Sequence, residues 1–432
     1  MIKYFVLLLI PLLVNCSFDT RSGIWTENKD IAKIDENISK VFKKKTIIKK
    51  EFNSDLKIEA NFSADTKNDK NDLANNLGID IFDHEIKKIS KFKFSKIENF
   101  DYFEPELITD ENTFAFFDDK GNLIKFNDNL KTIWKKNYYT KQEKKMKPIL
   151  TLYKHDKYLI VVDTISKFYV VNYDTGNLIW SKKNRNPFNS QIKIFRDKIF
   201  TIDMNNILRC FSLKNGDEIW NFKSENTFLK SNKRSSIVVI NNNVYFNNSV
   251  GDIIALSTSD GSVLWQMPTQ SSDVYENSFS LINSDLVAKD NDLFFSNNRN
   301  EFYSMNLSNG LINWKQEINS IVRPIIYNNL ILTFSNEGYF FVIDKNNGNI
   351  IRITDVFDVF EDNKRKKINP IGFIAGTKKI ILSLNNGRLL IIDILTGKTE
   401  KISKIDNEKI SRPFIFDKKI MLVKNNSIIR LN

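Results

Sequence analysis

From Gly251 to Trp265 the sequence GDIIALSTSDGSVLW joins two runs of different character. Ile253 to Leu256 are apolar at every position, the pattern of a strand covered on both faces. Ser257, small and polar, ends that run. Asp260-Gly261 turns the chain, because glycine takes positive φ without steric cost, and Val263-Leu264-Trp265 leads back. A hairpin with apolar surface on both sides cannot bury it alone. The pattern therefore predicts neighbours of the same kind.

The sequence contains them. SKFYVVNYDTGNLIW ends at Trp180, NILRCFSLKNGDEIW at Trp220 and NEFYSMNLSNGLINW at Trp314. GYFFVIDKNNGNIIR ends at Arg352 and GRLLIIDILTGKTEK at Lys401, while the shorter GNLIKFNDNLKTIW ends at Trp134 without the turn glycine. One position is always short and polar: Asn127, Asn172, Ser212, Ser257, Asn306, Asp344, Asp393. The turn glycines run from Gly176 to Gly397 in steps averaging about 44 residues, the spacing of β-propeller blades.

Two more strands per repeat are legible ahead of each hairpin. Pro105, Pro148, Pro324, Pro370 and Pro413 stand where inner strands open, a position at which the missing N–H interrupts no ladder. Polar turns follow at Asp156-Lys157, Asp197-Lys198, Asn242-Asn243, Asn291-Asp292 and Asn328-Asn329, each leading into an apolar strand such as Tyr158 to Val162. An eighth unit begins at Arg412-Pro413 and reaches only the third strand at NSIIRLN. An open ring would leave an unpaired edge, so the fourth strand is expected from the N-terminal side. Lys88 to Lys96, in which Phe92 and Phe94 alternate with polar residues, is the candidate, with Thr46 to Phe52 next. The expected fold is an all-β, eight-bladed propeller of four-stranded blades over residues 87–432, closed by that strand.

The N-terminus reads differently. Lys3 precedes an apolar stretch, Tyr4 to Val14, of signal-peptide length and too short to span a membrane. Leu13-Val14-Asn15-Cys16 resembles the lipobox of bacterial lipoproteins, with Asn15 where that motif has Gly, Ala or Ser. Residues 1–15 are thus expected to be a leader and Cys16 to be acylated, anchoring the protein to a membrane. Residues 16–86 are charged, show no repeat and read as a largely disordered tether, with a short helix over Asp30 to Phe42. The other cysteine, Cys210, lies in an apolar strand, which excludes a disulfide framework. The net charge is +12, but lysine is spread along the whole chain and no aromatic–basic nucleic-acid module accompanies it.

Signatures of catalysis are missing from the sequence. Its two histidines, His84 and His155, lie in no zinc-binding motif, and no GxSxG, P-loop or dinucleotide fingerprint occurs. DKNNGN at Asp344 to Asn349 lacks the downstream glutamate of a calcium loop and coincides with the repeat turn. No cofactor, metal site or catalytic residue is expected. The repeat tryptophans Trp134, Trp180, Trp220, Trp265 and Trp314 read as blade-docking residues. Blades six and seven, with Arg352 and Lys401 there, should dock less tightly.

The repeat resembles that of pyrroloquinoline-quinone propellers, a superfamily of dehydrogenases and non-enzymatic scaffolds. The dehydrogenases carry adjacent cysteines, and Cys16 and Cys210 are the only two here. Together with the leader, the pattern resembles the BamB family of outer-membrane lipoproteins; residues 17–87 are longer and more charged than that family has. The resemblance implies a non-catalytic subunit, monomeric within a hetero-complex on the periplasmic face of the outer membrane. Its implied partners are the polypeptide-transport domains of a BamA-type insertase and the other assembly subunits. It places the partner surface on Ser224 to Ser236 and Gln270 to Lys289, with Phe228, Leu229, Lys230, Arg234 and Asp285 as contact residues. The competing readings are another envelope propeller, binding a protein or polysaccharide, and a quinoprotein-like dehydrogenase.

Overall fold

The computed structural model describes residues 48–59, 75–76, 89–225, 233–269 and 281–431. Cys16, Trp25, the helix expected over Asp30 to Phe42, Phe228, Leu229 and Lys230 lie outside them.

Among the described residues, 32 strands form eight antiparallel sheets of four. Blades 1 to 7 occupy residues 108–136, 150–183, 193–223, 237–267, 287–316, 325–355 and 370–404, each in simple meander order. Blade 8 combines three strands of residues 414–431 with Ile89–Lys93, which pairs antiparallel with Ser427–Leu431. The expected eight-bladed propeller and its closing strand are therefore both present. Phe92 and Phe94 lie against Phe126 and Phe116 of blade 1, with ring centroids 4.5 and 5.6 Å apart. One strand thus completes the last sheet by hydrogen bonds and joins it to the first by aromatic packing.

The apolar cores lie between blades. Phe200, Ile202, Leu208 and Cys210 of blade 3 form one cluster with Val244, Phe246, Ile254 and Leu256 of blade 4. This is why the third strand of each repeat is apolar on both faces: each face meets a neighbouring sheet. Cys210 is free and fully buried there.

The short polar position and the turn glycine have a shared task. Asn172 Oδ1 accepts from the backbone N–H groups of Asp174 and Thr175 at 3.0 and 2.9 Å, while Gly176 donates back to the Asn172 carbonyl at 2.8 Å. Asp344 holds its turn the same way, through Asn346 N–H at 2.8 Å, so DKNNGN is a side-chain-capped turn. In all seven hairpins the register slips just past the residue opposite the tryptophan or its substitute, as between Ala255 and Leu256. Such a bulge turns the outer strand and re-aims its side chains.

What the bulge aims is the tryptophan, against the next blade. Trp134, Trp180, Trp220, Trp265 and Trp314 donate their indole N–H to Tyr173, Leu213, Thr258, Leu307 and Lys345 carbonyls at 2.8 to 3.4 Å. Their rings lie on the next turn glycine. A Cβ on Gly216 would sit 2.7 Å from Trp180, and one on Gly261 2.6 Å from Trp220. Glycine is needed twice over, for its φ of +76° at Gly261 and for this close approach.

Blade 6 departs from the expected looser docking. Arg352 is fully buried and donates to the Ile394 carbonyl at 3.3 Å, the place an indole would use, and also to Leu395. A further donor reaches the Leu56 carbonyl at 3.1 Å, within the stretch expected to be tether. Residues 48–59 lie along the outer strand of blade 6: Phe52 and Ile353 exchange backbone hydrogen bonds at 3.1 and 2.8 Å, and Ile58 N–H reaches the Leu395 carbonyl. A guanidinium fans donors to several carbonyls where an indole has one, so the arginine recruits chain from outside the ring. Lys401, its counterpart in blade 7, is exposed.

Gly261→Ala should cost about 2–4 kcal/mol, from positive φ and the clash with Trp220, measured by urea denaturation. Deleting 88–96 should lower the midpoint of the whole propeller in one cooperative transition, since the closing strand joins blade 8 to blade 1; a midpoint equal to the intact protein's would refute its role.

Candidate functional site in the central channel

The inner strands line the ring's axis, and the residues that lead into them point to it. Glu106, Gln191, Asp285, Arg323 and Arg412 each stand two residues before an inner strand, and Arg234 three before. Neighbouring inner strands carry the same repeat position, so blades distant in sequence bring these side chains together.

Glu106 is the hub. Arg234 Nη2 donates to its Oε1 at 2.6 Å, with Arg412 and Arg323 Nη2 at 3.4 and 3.5 Å. Asp285 takes Nε of Arg323 at 2.8 Å and its Nη2 as well. All five side chains are largely buried, with Arg412 the most open at 23%. Burial alone would raise the Glu106 pKa; Arg234 and Arg412 outweigh it and hold the carboxyl near 2. Asp285 is likewise driven well below the carboxylate range, its burial outweighed by Arg323 and Arg234. Arg412, buried and facing two other guanidiniums, falls to about 10. Three arginines around two carboxylates leave a surplus of positive charge, and Arg234 Nε has no partner.

Farther in, Lys193 is almost fully buried and burial lowers its pKa well below the usual lysine value. Its Nζ donates to Asn76 Oδ1. The Asn76 amide nitrogen lies 2.9 Å from Gln191 Oε1, 3.0 Å from the Leu286 carbonyl, and 3.2 Å from both Ser236 Oγ and the Ile237 carbonyl. At one mouth of the channel a cavity of about 920 Å³ opens, with Phe100, Tyr102, Phe103, Ile321 and Ile371 beside Lys233 and Lys409. Lys233 lies 3.5 Å from Glu104, and Lys409 donates to the Asp101 carbonyl at 2.8 Å.

These positions correct two expectations. Arg234 and Asp285, read as rim contacts for a partner, belong to the buried channel network. Each lies next to an inner strand, and that strand's start turns the side chain to the axis before any loop can carry it outward. The structure brings both to Arg323, Arg412 and Glu106, which sequence reasoning missed. The available signal was a charged residue beside a strand-opening proline: Pro105-Glu106, Arg323-Pro324, Arg412-Pro413. Among the described residues no group of three or more His, Cys, Asp or Glu is placed to hold a metal ion.

Residues 119–354, more than half the chain, match the family described as outer membrane protein assembly factor BamB. The chain belongs to the BamB family. Among solved structures, BamB from Moraxella catarrhalis superimposes with a TM-score of 0.65 at 10% identity, covering 81% of this chain and all of that one. A quinohemoprotein alcohol dehydrogenase from Pseudomonas putida HK5 covers 80% of this chain and 75% of its own, at 9% identity and a TM-score of 0.57. The computationally designed Ika8 protein covers 79% of this chain and 99% of its own, with 9% identity and a TM-score of 0.59. At such identities the likeness is one of fold. No curated protein matches the chain.

Glu106→Gln should destabilise the BamB-family propeller by about 3–5 kcal/mol, because it leaves buried arginines uncompensated. The Glu106 pKa lies below its ordinary 4.5, so its contribution is present above pH 4.5 and is lost as pH falls toward about 2. Denaturation at stepped pH should show this acid loss in the parent and a smaller one in the Gln variant.

Proposed function

We propose that this protein is a non-catalytic, lipid-anchored assembly factor on the periplasmic face of the outer membrane, where it holds a BamA-type insertase while outer-membrane proteins fold. The observation that carries this reading is the match of residues 119–354 to the assembly-factor family. The lipobox-like Leu13 to Cys16 supports the anchor, with diacylglyceryl on the Cys16 sulfur. A ring of eight blades suits scaffolding, since it presents many loops from one packed frame.

With Arg234 and Asp285 engaged in the channel, the partner surface rests on Phe228, Leu229 and Lys230. A small apolar anchor in a charged rim is the composition of an interface hot spot. The test is a mild-detergent pull-down of the acylated protein, with the co-purifying proteins identified by mass spectrometry. The insertase should be among them, and its absence would refute the reading. Leu229→Ala with Lys230→Glu should weaken the association by about 2 kcal/mol or more without moving the melting temperature. Cys16→Ser should leave the protein unprocessed or soluble, and an unlipidated mature chain beginning elsewhere would refute the anchor.

A further inference from the structure

Asn76 lies far outside the repeats in sequence, yet it is 1% exposed among the inner strands of blades 3, 4 and 5. The surrounding groups determine which way its amide faces. The Leu286 and Ile237 carbonyls can only accept, so they must meet the nitrogen, which leaves the oxygen to Lys193 Nζ. The backbone joins in as well, with Ala288 N–H of the blade 5 inner strand donating to the Asn75 carbonyl at 3.1 Å. The cradle is itself ordered: Gln191 Oε1 also accepts from Ile237 N–H at 3.1 Å, and Ser236 Oγ from Leu286 N–H at 2.9 Å.

From this arrangement we infer that the channel between blades 3, 4 and 5 is a binding site for a side-chain carboxamide carried on a polypeptide turn, and that Asn76, in a turn with φ of +61°, occupies it in cis. A donor on one side and two carbonyls on the other match an amide and no other side chain of that size. A carboxylate would set its second oxygen against the Leu286 and Ile237 carbonyls. An ammonium would face Lys193, in a channel where Arg234, Arg323 and Arg412 already outnumber Glu106 and Asp285. An apolar side chain would leave Lys193 and both carbonyls without the partner they have now, the costly state for a buried polar group. Any segment that is to enter this part of the channel must first displace the chain's own residues 75–76.

The test uses the full chain with residues 71–81 replaced by a Gly/Ser linker of equal length. The probe is a fluorescent peptide of that stretch, NDLANNLGIDI, followed by anisotropy. The peptide should bind the linker variant saturably and the parent more weakly by about tenfold or more, since there the site is occupied. A control peptide with alanine for Asn76 should also lose about tenfold, as removal of hydrogen bonds to a charged group does. Lys193→Met in the linker variant should abolish discrimination between the two peptides. Equal affinity of both peptides, no binding, or equal binding to the parent would overturn the assignment. A second measurement does not depend on the linker variant: Asn76→Asp in the full chain should lower the melting temperature at neutral pH. An unchanged or raised value would show an anion site and refute the carboxamide reading.

Discussion

Everything in this propeller depends on the contact of one tryptophan ring with one glycine of the next blade. A sheet apolar on both faces has no preferred neighbour by hydrophobicity alone, since burial is non-directional. The indole adds direction. Its N–H seeks one carbonyl, and its ring needs a backbone with no Cβ at a fixed distance, 2.6 to 2.9 Å for the hypothetical atom on Gly176, Gly216, Gly261 and Gly310. The capped turn and the bulge serve this contact, one fixing the glycine and the other the tryptophan. Repeated around the ring, it sets the angle between blades and hence how many close it.

Where the ring departs from this contact, it finds other chain. Arg352 takes the indole's role with donors to spare, and residues 48–59 bring a carbonyl and a strand edge to meet it. The final junction has neither tryptophan nor turn glycine. There Ile89–Lys93 completes blade 8, and an aliphatic cluster of Ile374, Ile381, Leu389, Ile420, Leu422 and Ile429 joins it to blade 7. Both substitutions draw on sequence that precedes the repeats, so the N-terminal region belongs partly to the fold.

The axis poses the opposite problem. The residues that lead into the inner strands include charged side chains that are largely buried. The solution is a set of charges that answer one another, Glu106 with three arginines and Asp285 with one of them. Such networks are costly to break, because removing one member leaves the others buried and uncompensated. The charges therefore make the channel a specific place, with a defined polarity and a defined amide in it.

The sequence by itself determined the blades. Period, turn glycines, short polar residues and doubly apolar strands are local features, and each follows from backbone sterics or from which face a residue shows. Even the closing strand was legible, because an incomplete eighth repeat demands a partner and Phe92 and Phe94 alternate as one. Only the tertiary structure decided the site. Arg234 and Asp285 looked like loop charges, since sequence shows that a residue is polar but not toward which axis a closed ring turns it. The meeting of Glu106 with Arg412, of Arg352 with Leu56 and of Asn76 with Lys193 spans 117 to 306 residues. Ring closure makes the first of these pairs without any local signal, because it converts equal positions in different repeats into one circle of contacts; the other two arise where chain that precedes the repeats packs back onto the ring.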